Sequence, residues 1–75
     1  MTTITVRRDT AARCWTATIV GGELETRTRE LFNTNVLPLP YTHRADCQTV
    51  YENTQRQYAD DPTISVQIPL TEMIG

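Results

Sequence analysis

Residues Thr42 to Leu70 read THRADCQTVYENTQRQYADDPTISVQIPL, and this stretch decides the fold. Cys47, Val50, Tyr51, Thr54 and Tyr58 recur at helical spacing, while Arg44, Gln48, Glu52, Gln55 and Arg56 fall mainly on the other side. Thr42 suits an N-cap, Asp46 suits the positive first turn, and Glu52 precedes Arg56 in the order that favours a helical ion pair. Asp60-Asp61-Pro62 ends this helix. From Thr63 to Leu70 the chain alternates Ile64, Val66, Ile68 and Leu70 with Ser65, Gln67 and Pro69, which is the period of a half-buried strand. Pro69 cannot donate to a ladder, so that strand lies at a sheet edge or ends there. A helix and a strand with one apolar face each need a sheet to cover, and the residues before Thr42 are expected to supply it.

Thr2 to Arg8 places Ile4 and Val6 on one side and Thr3, Thr5 and Arg7 on the other, a first strand. After the connection Asp9-Thr10-Ala11-Ala12, Arg13 to Val20 forms a second, with Trp15, Ala17 and Ile19 opposite Cys14, Thr16 and Thr18. Gly21-Gly22 reads as a two-residue hairpin loop, because paired glycines supply positive φ at no steric cost. That loop sets Ile19 against Leu24, Thr18 against Glu25 and Thr16 against Arg27. A four-residue first turn sets Val6 against Trp15 and Ile4 against Ala17. Glu23 to Phe32 is read as the third strand. A helix with Leu24, Thr28, Leu31 and Phe32 on one face is the alternative, favoured modestly by Glu, Leu and Arg. Asn33 to Tyr41 contains Pro38 and Pro40 and is expected to be an irregular crossover, its leucines and Tyr41 folded over the core edge.

The expected architecture is α+β: a β-β-β-α-β two-layer sandwich in which one helix packs on a mixed four-stranded sheet of order 3-2-1-4. The last strand lies parallel to the first if the crossover is right-handed. This order of elements resembles that of small antitoxin domains of the HicB type. The glycine-containing helix entry expected there is absent, so the likeness is one of element order. The chain reads as one domain over residues 1–75, with 71–75 a flexible tail from which Met73 and Ile74 can reach a partner.

At 75 residues the core is near the lower limit for folding without staples. A hydrophobic share of 39% and a charged share of 21% are ordinary for a globular chain. Net charge −2 and pI about 5.2 argue against a duplex-DNA binder, which carries a basic excess. All seven basic residues are arginine and fourteen residues are threonine. No apolar run approaches the roughly 20 residues of a membrane span. The opening residues lack the basic-then-apolar order of a signal peptide, so a cytoplasmic protein is expected. Two cysteines do not make a secreted disulfide framework.

On the expected registers, Arg7, Arg27 and Arg29 converge around Cys14 on the solvent face of the sheet, flanked by Thr16 and Thr18. Arginine forks and hydroxyls suit a phosphorylated ligand or RNA. The same arrangement also serves as a plain solvated face on which Glu25 and the arginines pair across strands. Cys14 among arginines could ionise readily, but the only histidine, His43, is expected at the helix start on the opposite layer. Cys47 faces the core and is expected to lie across the sheet from Cys14. Catalytic loops, a nucleophile elbow and metal-ligand spacing are missing, so no enzyme activity, cofactor or metal is expected. Trp15 is assigned to the core under Val50 or Tyr51 rather than to a base-stacking platform. Two functions remain. One is a regulatory module that binds a protein partner or itself, as a homodimer. The other is a binder of a phosphorylated ligand or RNA through the Arg/Thr face.

Overall fold

The computed structural model describes residues 1–69 and 71–72. Its elements are β1 (Thr2–Asp9), β2 (Cys14–Val20), α1 (Gly22–Phe32), β3 (Val36–Thr42), α2 (Cys47–Gln57) and β4 (Ile64–Gln67). The strands form one mixed sheet in the order β3-β2-β1-β4. β2 is antiparallel to both β1 and β3, and β4 runs parallel beside β1. The α+β class, the mixed four-stranded sheet and the 3-2-1-4 order are as expected. The identity of the third strand is not, and a second helix stands where it was placed.

Glu23 to Phe32 is helical, so the β-β-β-α-β reading is corrected to β-β-α-β-α-β, which departs from the antitoxin-like order. Gly21 and Gly22 do take positive φ, 89° and 72°, but they turn the chain from a strand into a helix instead of into a hairpin. The pairings set by that hairpin, Ile19 with Leu24 and Thr16 with Arg27 among them, are therefore absent. Glu25 reaches back to accept a hydrogen bond from the Gly21 N–H at 2.6 Å, which satisfies a donor at the start of α1. Ion pairs Arg27–Glu23 and Arg29–Glu25, each one helical turn apart, brace the exposed side. Asn33 closes α1 in the left-handed conformation, its N–H bonded to the Arg29 carbonyl.

The third strand is Val36–Thr42, inside the segment expected to be irregular. Two prolines are tolerated because β3 is an edge strand. Asn35 O accepts from Ile19 N, so by alternation the odd positions turn their backbone groups toward β2 and the even ones away. Pro38 thus lies where no ladder donor is needed, and Pro40 falls in the irregularity between the Thr16–Pro38 and Cys14–Thr42 pairs, where the ladder is interrupted. Leu37, Leu39 and Tyr41 pack against the core, as expected of this segment. Since β3 runs to Thr42, that residue does not cap α2. Asp46 does, its side chain accepting from Thr49 N.

β1 and β2 pair two residues out of the expected register: Ile4 opposes Ile19, Val6 opposes Ala17 and Arg8 opposes Trp15. The shift is even, so every residue keeps its face. Ile4, Val6, Trp15, Ala17, Ile19, Val50 and Val66 form the buried core, and Leu24 of α1 and Tyr51 and Tyr58 of α2 pack against it. Both helices thus cover one face of the sheet. Val50 and Thr54 are buried on α2, as its periodicity requires. Glu52 bonds Gln48 rather than Arg56. β4 spans four residues against the eight expected; Ile68 still packs on the core, and Leu70, Met73 and Ile74 lie outside the described residues.

Two expectations follow from the strand-to-helix junction. A Cβ at Gly21 would stand 2.6 Å from the Met1 carbonyl oxygen, at φ 89° and ψ 154°, a backbone region almost closed to other residues. Gly21→Ala is expected to cost about 1–3 kcal/mol, read as a lower urea midpoint at unchanged slope. The Gly21 N–H, and after it the Arg29 side chain, hold the Glu25 carboxyl below its ordinary value of 4.5. The folded value lies below the unfolded one. The stabilisation is therefore complete above the ordinary value and is lost as pH falls through the folded one. Below pH 4.5 the thermal midpoint of the wild type should fall more steeply than that of Glu25→Gln. Parallel curves would remove this contact from the acid response.

Candidate functional site

Because both helices share one face, the opposite face of the sheet is open. The register brings Thr5 beside Thr18 and Gln67, Arg7 beside Thr16, and Thr3 beside Ser65. Cys14 lies across from Thr42 at the far end. Thr16, Thr18, Cys14 and Arg7 are therefore together on this face, as the sequence indicates. Arg27 and Arg29 are not: they ride on α1 in the other layer, each engaged by a glutamate one turn away. The three-arginine cluster around Cys14 is corrected to a hydroxyl-bearing face with Arg7 as its cation. Cys14 and Cys47 are free thiols, the first on the open face and the second against the core. His43 is corrected from the helix start to the turn after β3, where its N–H bonds the Arg13 carbonyl.

Apolar side chains left in solvent mark a second region. Among the described residues, the exposed large hydrophobics are Met1, Val20 (51%), Leu31 (72%), Phe32 (59%) and Val36 (41%). Four of them fall at one end of the fold: Val20 ends β2 and Val36 opens β3, both on the open face by alternation, while Leu31 and Phe32 end α1 in the other layer. The cause is geometric. Leu24 of the α1 apolar stripe packs on the core and Thr28 is buried, whereas Leu31 and Phe32, further along the same stripe, lack such cover. The sequence carries part of this signal: Leu24, Thr28, Leu31 and Phe32 share a face if the segment is helical.

The two sheet edges differ. β3 lacks two outward donors because of Pro38 and Pro40. β4 carries no proline, and an open groove lies between it and α2, lined by Tyr51, Gln55, Tyr58, Pro62, Ile64 and Val66.

At the other end of the β1–β2 hairpin, the Arg8 guanidinium stacks over the Trp15 ring, 4.7 Å from its centroid. Trp15 is fully buried, as its assignment to the core requires. Arg8 was missed as a functional candidate because the expected register set Val6, not Arg8, opposite Trp15. Its adjacency to Arg7 was visible, and alternation sends the two to opposite faces.

Among the described residues, no group of three or more His, Cys, Asp and Glu could hold a metal ion, and no helix is long and apolar enough to cross a membrane. In comparisons with protein-family models, curated proteins and solved structures, the chain matches none.

Proposed function

We propose that this chain is a small non-catalytic interaction module whose docking surface is the apolar patch at the α1–β3 junction, and whose occupant is a second copy of the chain. The observation that carries the reading is the exposure of Val20, Leu31, Phe32 and Val36 together at one end of the molecule. Isolated exposed hydrophobics need no explanation, but a group of them beside an overhanging helix end is an unfinished core. Two copies placed end to end would complete it.

Self-association is favoured over an oppositely charged partner by the charges next to the patch. Arg27 and Arg29 are paired within α1 with Glu23 and Glu25, which leaves Glu30, among the described residues, as the one charge of this helix outside an ion pair, so the rim carries little charge to repel a like copy or to select a complementary one. The core is small, and dimerisation would add apolar burial that a chain of 75 residues is short of. The rival reading, a phosphorylated-ligand or RNA binder on the open face, is weakened by the removal of Arg27 and Arg29 to the other layer.

Size-exclusion chromatography with light scattering tests this directly. The wild type should run as a dimer that dissociates on dilution. Leu31→Arg with Phe32→Arg should raise the dissociation constant by at least about 30-fold, the size of an interface hot spot, with unchanged circular dichroism. A wild type that stays monomeric at millimolar concentration would refute self-association. A dimer indifferent to the double substitution would remove the patch from the interface.

A further inference from the structure

The hairpin end of the sheet carries an arrangement that the interaction patch does not explain. Among the described residues, three buried side-chain nitrogens have no hydrogen-bond partner: Arg8 Nε, Trp15 Nε1 and His43 Nδ1. All three belong to this end. Arg8 and Trp15 face each other across β1 and β2 in the stack described above. His43 follows β3 directly and is tied by its backbone to Arg13, in the hairpin loop. Orphaned buried polar atoms are rare in folded proteins and costly, and here all three fall at one end of the sheet, two of them in a single stacked pair.

The chemistry of the three says what kind of partner they lack. Arg Nε and the Trp indole nitrogen can only donate, and the imidazole can donate from Nδ1. What is missing is therefore an acceptor. Charge sharpens this further. Arg8 meets no carboxylate among the described residues, where both ion pairs lie on α1. Arg7, Arg13 and Arg44 belong to the same end of the sheet, so four of the seven arginines and the only histidine gather in a chain of net charge −2. The acids nearest in sequence are already engaged: Asp9 accepts from Ala12 N and Asp46 caps α2.

We infer that the Arg8–Trp15–His43 corner binds a small oxyanion, a carboxylate or phosphate group. The anion enters from the side of Arg8 and His43, which are half-buried where Trp15 is fully buried, and the Arg8 side chain moves from the indole face to receive it. A charge-assisted hydrogen bond to the guanidinium supplies most of the affinity, and the indole N–H supplies the orientation. This site shares no residue with the α1–β3 patch and does not depend on the dimer.

Trp15 is the only tryptophan, so its indole N–H gives a single nitrogen-edited NMR signal. The test titrates sodium phosphate, sodium acetate and, at matched ionic strength, sodium chloride against the full chain, following that signal and the Arg8 Nε–H. Saturable shifts of both in phosphate or acetate, with none in chloride, are expected; which of the two oxyanions saturates first identifies the source chemistry. Arg8→Gln should weaken binding about tenfold or more, as loss of a charged hydrogen bond requires, while Arg27→Gln, the same charge change on α1, should leave it unaltered. Should Arg8→Gln unfold the chain, Arg8→Lys keeps the charge and removes Nε, and the same loss is expected. Linear shifts shared by chloride, equal weakening by Arg27→Gln, or exchange peaks placing only bound water on these donors would each overturn the site.

Discussion

The antiparallel pairing of β1 with β2, Ile4 against Ile19 and Val6 against Ala17, is the contact on which the other elements depend. β1 occupies an interior position in the sheet, with β2 on one side and β4 on the other, so its apolar residues meet neighbours in three directions. Ile4 and Val6 are fully shielded as a result. The N-terminal end of the same strand seats α1: the Thr2 hydroxyl donates to the Gly21 carbonyl at 2.8 Å, and the Thr2 N–H donates to Thr63 O at the entry to β4. One short segment thereby ties the start of α1 and the start of β4 to the sheet. A displaced β1 would loosen both, because each contact uses a different group of the same residue.

Covering only one face of the sheet has a cost that the sequence distributes with care. The open face is built from β-branched hydroxyls, the half-buried Thr3, Thr5 and Thr18 and the buried Thr16, which keep strand geometry while remaining compatible with water at its margin. Its exposed edge β3 is blunted by Pro38 and Pro40, which present carbon where an incoming strand needs a donor. α1 is the exception. It is braced on its outer side by two ion pairs, worth at most a few tenths of a kcal/mol each at such exposure, so its place depends on Leu24 and Thr28 meeting the sheet. The last turn has no such contact, and it is there that Leu31 and Phe32 are left in solvent.

What was legible in the sequence follows from which constraints are local. The α2–β4 unit was readable because its periodicity is long and regular, and because strand faces survive any even register error. That is why Trp15, Ile4 and Val6 were assigned to the core although their partners were two residues off. The Gly21-Gly22 pair announces its positive φ but not its outcome, a helix in place of a hairpin. Positive φ is equally the requirement of a hairpin and of a sharp entry to a helix, and the arbiter was Glu25 reaching back to Gly21, a contact visible only once the helix exists. Pro38 and Pro40 hid β3 for the complementary reason. Proline forbids an interior strand, not an edge one, and whether a strand is an edge is a property of the whole sheet. The candidate site inherited both errors. Arg27 and Arg29 were placed on the sheet with the segment that carries them, and Arg8 was overlooked because its stack on Trp15 depends on the true register.

The apolar patch and the basic corner lie at opposite ends of the β1–β2 hairpin. Val20 closes the end at which β1 begins, and Arg8 and Trp15 stand near the loop. Five residues of strand separate Val20 from Trp15, about 17 Å at the rise of an extended chain. At that distance, with no shared side chain, perturbations of the two regions should add rather than couple. The separation has a physical origin in the sheet itself. Both helices begin from loops at its two ends, α1 where β2 stops and α2 where β3 stops, and each leaves something unfinished there: a helix end that overruns the sheet at one, and a stacked arginine with unpaired donors at the other. A sheet covered on one face exposes its ends as well as its back. In this chain the groups least satisfied by the fold are found at those ends, while the threonine-rich back is the better finished surface.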